Sequence, residues 1–232
     1  TLGNALVRVM KVAPFGERRI GVTYLASAQS DRWQYAGNML FRELVQLEDG
    51  SLGTAFVPEM TPQGKPFSPT MQTEGGAWTV NSSAAFDLDA REGFTYAWVD
   101  SLPRDFRLQM TVEPADAPLA FGVCMSETAL GFDQGLQVSF QPAQQLLQVQ
   151  AASRAPFEVN GPAAVLVPED MASPARMELV VTGGILDVSY AGRRTLTCRL
   201  PDSEKSPRLF FFVQGGNVRW SVASFEDITD AR

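Results

Sequence analysis

The chain has 232 residues, of which 45% are apolar and 19% charged, with a net charge of −7 and no histidine. A chain of this size can bury roughly 70–75% of the surface its unfolded form exposes. The acidic balance with no basic stripe argues against a nucleic-acid partner. The lack of any run of 18 apolar residues argues against a membrane-spanning helix, and the missing histidines exclude His-based triads, His acid–base catalysis and His-ligated metals.

The segment Ala5 to Val12 already reads as a strand, so the chain opens inside structure and reads as a processed product or a fragment. Pro14 to Arg18 reads as a turn, and Arg19 to Leu25 as a second strand rich in residues that suit a pleated surface. Ser27 to Arg32 is polar and reads as a loop. From Trp33 the chain reads as a hairpin, with Met39, Phe41, Leu44 and Leu47 as its apolar positions and Asp49-Gly50 as its turn, because Gly accepts φ > 0 and Asp tolerates it. Four short strands in about sixty residues amount to one propeller blade, which needs cover on both faces.

Arg42 and Glu43 place two charges inside this apolar run, where each needs a partner or a solvated cleft. One reading is salt-bridged charges bracing a strand. The other is a pair beside a sugar-binding cleft, with Trp33 and Tyr35 stacking on the sugar. Trp33 differs from Trp78, Trp98 and Trp220 in sitting in a polar stretch, whereas those three read as filling the core or a junction. The candidate substrate-binding residues are therefore Trp33, Tyr35, Arg42 and Glu43.

Trp33 with Gly37, then Phe41-Arg42-Glu43-Leu44, then Asp49-Gly50-Ser51-Leu52 resembles the end of the propeller in family 32 glycoside hydrolases, the invertases, levanases and inulinases. Phe41 stands where that family usually has Pro. The resemblance implies that residues 1–61 are terminal propeller-blade strands of a longer enzyme. The N-terminal propeller region would then be the intramolecular partner, and a carbohydrate the substrate of the parent protein. It also implies a secreted or periplasmic location.

Thr61 to Gly76 carries Pro62, Gly64, Pro66, Pro69, Gly75 and Gly76 with almost no apolar periodicity, and residues 62–76 read as a linker. From Ala77 to the end at 232 the chain is a succession of short strands. Phe106, Leu108, Met110 and Val112 alternate onto one face. Further strands are expected over Ala77–Val80, Phe94–Val99, Leu119–Ser126, Gly135–Phe140, Leu146–Val149, Arg176–Val181, Ile185–Tyr190, Thr195–Leu200, Arg208–Val213 and Val218–Val222. Gly183-Gly184 and Gly215-Gly216 are hairpin glycines, with no helix after them that could cradle a phosphate. One turn of helix at most is expected, at Pro168–Met171. The fold class is all-β: an antiparallel β-sandwich of the concanavalin or lectin-like jelly-roll type, preceded by strands of an incomplete β-propeller blade.

Phe121-Gly122, the hairpin from Leu179 to Tyr190, Thr197-Cys198-Arg199 and Gly215-Gly216 resemble, in that order, the C-terminal sandwich of family 32. The family's charged hairpin is here Val181-Thr182-Gly183-Gly184-Ile185. A retaining glycosidase needs two carboxylates about 5 Å apart, and the family's Asn-Asp-Pro, Arg-Asp-Pro and Glu-Cys segments are absent from this chain. Asp87, Asp89, Glu226 and Asp227 read as solvated turn carboxylates. No catalytic residue, metal-binding cluster or cofactor motif is expected here, and Cys124 and Cys198 are expected as two buried thiols. The resemblance implies a C-terminal part, inactive alone, of a glycosidase hydrolysing fructans or related glycans, its sandwich bracing the catalytic propeller. The alternatives are a lectin-like carbohydrate-binding module and a structural sandwich.

Overall fold

The computed structural model describes residues 7–25, 27–29, 32–34, 39–73, 76–79, 84–126, 132, 135–151, 163–167, 170–200 and 208–231. The first unit is a four-stranded antiparallel sheet. Strands β1 (Val7–Phe15), β2 (Arg18–Leu25), β5 (Met39–Gln46) and β6 (Leu52–Ala55) follow one another across it. Gly16, at φ 62°, turns β1 into β2, and Gly50, at φ 81°, lets Leu47 and Ser51 close the β5–β6 hairpin. The polar stretch expected as a loop instead forms a two-stranded ribbon, β3 (Ser27–Gln29) and β4 (Arg32–Gln34), which pairs Ala28 with Trp33.

The remainder is an antiparallel sandwich of two sheets. One runs β10 (Ala85–Asp89), β21 (Asn217–Asp227), β12 (Phe106–Ala115), β17 (Ala175–Thr182), β18 (Ile185–Tyr190), β19 (Arg194–Arg199), with β7 (Lys65–Pro66) also on β21. The other runs β16 (Ala163–Leu166), β15 (Leu146–Ala151), β14 (Leu136–Gln141), β13 (Ala120–Ser126), β20 (Arg208–Gln214), β11 (Phe94–Val99), β8 (Thr70–Thr73), β9 (Gly76–Thr79). The stretch expected as a linker is thus woven into the sandwich, one strand into each sheet, and Met71 is fully buried. Pro66 lies in β7 and Pro69 directly before β8, and proline in sheets is confined to edges and strand ends.

Large side chains fill the space between the sheets. Phe106, Leu108, Met110 and Val112 all face inward, as their alternation predicts. Trp220 of β21 meets Phe211 of the opposite sheet edge-on, with ring centres 5.3 Å apart, and Phe121 stacks on Phe140 at 5.1 Å. Neither Cys124 nor Cys198 is in a disulfide, and both are buried. The same buried cluster extends to Leu25 and Leu40 of the first sheet, so one continuous core spans the junction. Asp87 and Asp89 sit in a strand rather than a turn, yet they are exposed. Asp87 and Asp89 pair with Arg219 and Arg91 respectively. No helix among the described residues is long and apolar enough to cross a membrane. Pro168 and Glu169 lie outside the described residues, and Asp170 to Ser173 form a turn.

Two glycines separate tight packing from open surface. A Cβ on Gly122 would lie 1.9 Å from the backbone oxygen of Val138, whereas one on Gly93 would meet nothing within 4 Å. Gly122→Ala is expected to cost about 3 kcal/mol, the upper end of an overpacking penalty. Gly93→Ala is expected to stay within about 0.5 kcal/mol of the parent. Urea unfolding of the two variants side by side measures the difference.

Candidate functional site

Adjacent residues on a strand project to opposite faces, so Arg42 and Glu43 cannot serve one site together. Register fixes the rest. Gly21, Thr23 and Leu25 of β2 share a face with Leu40 and Arg42 of β5 and Thr54 of β6, and all six are buried. This face lies against the outer side of the β18–β19 edge of the sandwich. Arg42 is only 6% exposed. Its Nη2 donates to both carboxylate oxygens of Asp187, at 2.5 and 2.6 Å, and to Thr197 Oγ1 at 2.7 Å. Its Nε donates to Thr195 Oγ1 at 3.1 Å, its Nη1 to the Phe41 carbonyl at 2.8 Å, and the cation lies 5.3 Å from the Phe56 ring centre.

The junction continues around this pin. Thr54 and Thr195 share a hydroxyl hydrogen bond of 2.7 Å. The Thr54 N–H donates to the Arg193 carbonyl at 2.9 Å, and Arg199 donates to the Leu25 carbonyl at 3.2 Å. A Cβ on Gly53 would lie 2.3 Å from the Arg193 oxygen, so β6 reaches this closely only because residue 53 has no side chain. Burial pushes the Asp187 carboxyl above its usual range, while the Arg42 charge and the Thr197 hydroxyl pull it back. Burial, reinforced by the Asp187 charge, pushes the Cys198 thiol far up, so it is not a nucleophile. Beside the pin lies a cleft of about 170 Å³ lined by Arg42, Asp187, Met39, Phe41, Phe56 and Met60.

Glu43 lies on the opposite face. Arg18 bridges it, at 2.8 Å, to Glu59, at 2.6 Å, and this bond holds the Glu59 carboxyl below its usual range. Around them this face carries several apolar side chains. Phe15 is 64% and Met39 66% exposed, and Val22, Tyr24 and Phe41 are only half-buried. Met39 and Phe41, two of the hairpin's apolar positions, thus lie on the open face, while the charged Arg42 is buried. The reason is the partner: the sandwich presents Asp187, Thr195 and Thr197 to the inner face, which rewards a donor rather than an alkyl chain.

Of the four residues expected at a sugar site, the structure places Arg42 in the junction and Glu43 on the open face. Trp33 is placed by its backbone in β4 but its side chain lies outside the described residues, as does Tyr35 entirely. Asp187, Thr195 and Thr197 are the junction residues that sequence reasoning passed over. The sole signal was an aspartate in a strand whose other residues read as apolar or small. Among the described residues no group of His, Cys, Asp or Glu could hold a metal ion.

No protein-family model and no curated protein matches this sequence. Solved structures do. An exo-inulinase from Aspergillus awamori is 11% identical with a TM-score of 0.63, over 97% of this chain and 44% of that one. A fructan 1-exohydrolase IIa from Cichorium intybus is 11% identical with a TM-score of 0.63, over 97% and 48%. A fructosyltransferase from A. japonicus is 17% identical with a TM-score of 0.63, over 90% and 40%. The chain has a family 32-like fold and spans less than half the length of these structures.

Removing one partner of a buried pair strands the other. Arg42→Ala is expected to destabilise the protein by about 3–5 kcal/mol at neutral pH. Without Arg42 the Asp187 carboxyl rises further, so the folded state takes up a proton that the unfolded chain binds only at lower pH. The penalty is therefore present above the folded-state pKa and shrinks as pH falls through it. Unfolding curves of the parent and Arg42→Ala measured from neutral to acid pH test this. The double variant Arg42→Met/Asp187→Leu is expected to regain most of the loss.

Proposed function

We propose that this chain is the C-terminal part of a family 32-like glycoside hydrolase acting on fructans or related glycans: the last propeller blade and the sandwich that braces it. The observation that carries this reading is the asymmetry of the first sheet. Its inner face is locked to the sandwich by Arg42 and Asp187, while its outer face leaves Phe15 and Met39 exposed and Val22 and Phe41 half-buried. Of the seven large apolar side chains exposed among the described residues, five (Val12, Phe15, Met39, Leu52 and Met60) belong to the first sixty. An apolar sheet face of this kind is what a neighbouring propeller blade packs on.

In this reading the preceding blades are the partner of that face, and they carry the two catalytic carboxylates. The role of this chain is mechanical. Arg42 sets the angle between the last blade and the sandwich, and Glu43, held by Arg18, stands on the face toward the preceding blade. Trp33 and Tyr35 are the candidates for sugar contact at the propeller rim. The substrate class is supported by the titles of the similar structures, an exo-inulinase, a fructan exohydrolase and a fructosyltransferase. The chain alone is expected to hydrolyse neither sucrose nor inulin, because the carboxylate-bearing Asn-Asp-Pro, Arg-Asp-Pro and Glu-Cys segments of family 32 are absent from its sequence.

The test compares the mass and N-terminus of the native gene product with Thr1, and assays that product on sucrose, inulin and levan. The expected result is a product longer by some hundreds of residues that releases fructose, with Phe15→Asp lowering its thermal midpoint. A product that begins at or near Thr1, or a longer one without propeller strands, overturns the proposal.

A further inference from the structure

The two sheets of the sandwich differ in a way the enzyme reading does not use. The seven-stranded sheet and its edges carry charge throughout, as in the Arg107–Glu178 pair at 2.7 Å and the Arg219–Asp87 pair at 3.0 Å. The eight strands of the other sheet carry a single charged residue, Arg208, and Asp100 neutralises it. In a chain with 19% charged residues, this sheet is depleted of charge. Depletion of charge together with enrichment in aromatics is the compositional mark of a binding face.

The outer side of this sheet has two zones. Phe94, Tyr96 and Trp98 line up along β11, with successive ring centres 6.0 and 5.9 Å apart. Phe210 and Phe212 flank them on β20, and Phe132 closes over Phe94 and Phe212 at 4.8 and 4.9 Å. Phe94 is 45% exposed, and Tyr96 and Trp98 are half-buried. Across the sheet, β14 and β15 present the uncharged polar groups of Gln137, Ser139, Gln141, Gln148 and Gln150, with Leu146 beside them. The bonds among them are long, at 3.3 to 3.5 Å, so their amides keep donor and acceptor capacity.

We propose that this face binds a neutral polysaccharide, the Phe94–Tyr96–Trp98 row stacking on the apolar faces of sugar rings and the Gln–Ser zone bonding hydroxyl groups. A hydroxyl both donates and accepts, as a side-chain amide does, and neither carries charge. Among the described residues of these strands a charged partner would find no free counter-charge, because Arg208 and Asp100 satisfy each other. The site lies on the sandwich and needs no upstream propeller, so its success or failure is independent of the enzyme reading.

The test is affinity electrophoresis of the full 232-residue chain in gels containing inulin, levan or dextran, alongside sedimentation to follow self-association. Phe94→Ala and Gln148→Ala alter exposed or half-buried positions, and their thermal midpoints are expected to match the parent. The expected result is retardation by at least one of the three polysaccharides, weakened about tenfold by Phe94→Ala and measurably by Gln148→Ala. No retardation in any gel overturns the proposal, as does retardation that neither variant changes. Self-association abolished by Phe94→Ala, without retardation, would assign the face to a protein partner and equally overturn it.

Discussion

The pin between Arg42 and Asp187 is the contact on which the arrangement of the two units depends. Its partners are 145 residues apart, with the Arg42 side chain 7% and the Asp187 side chain 15% exposed. A buried ion pair of this kind adds little net stability over a well-packed apolar pair, because desolvation of both charges offsets their attraction. What it supplies is direction. The guanidinium has five donors in a rigid fork, and four oxygen-bearing groups of the junction are placed to meet them: Asp187, Thr195, Thr197 and the Phe41 carbonyl. A slip of one residue along β5 would turn Arg42 to the open face and leave Asp187 buried alone. Gly53 completes the constraint, since β6 could not approach the Arg193 carbonyl with a side chain in the way.

Much of the sandwich was legible in the sequence, because its strands obey local rules. Phe106 to Val112 alternates and is buried on one side as the period of two requires, and Gly183-Gly184, at φ 55° and 74°, makes the hairpin that its composition announces. The strands that escaped are those whose identity is set by their neighbours. β10 alternates Asp87 and Asp89 with Phe86 and Leu88, and four residues of such mixed character form a strand only because β21 is there to pair with them. β16, Ala163–Leu166, has no polar alternation to read. β7 and β8 lie in a stretch whose prolines and glycines signal a linker, and the signal is correct locally but is overridden by pairing to β21 and β11.

The candidate site was legible in type and not in geometry. Two charges in an apolar run demand partners, and both have them: Arg42 with Asp187, and Glu43 with Arg18. Nothing local, however, says which partner, because the sequence neighbour of a strand residue is on the other face. Asp187 could not be chosen over the other acids without knowing that β18 and β19 form the sheet end beneath the first unit. The apolar Met39 and Phe41 take the outer face and Arg42 the inner one because the inside of this sheet is the sandwich's polar surface.

The first sheet therefore holds its two sides by different physics. On the inner side, directional hydrogen bonds and one ion pair fix a single register and orientation against the sandwich, at small net gain. On the outer side, Phe15, Met39, Val22 and Phe41 offer area without direction, worth about 25 cal/mol per Å² once covered, and tolerant of sliding. A sheet built this way fixes its position from the sandwich and derives stability from whatever covers the other face. Under the proposed function, that division of labour fits a terminal blade, with directional contacts toward the sandwich and non-directional area toward a neighbouring blade.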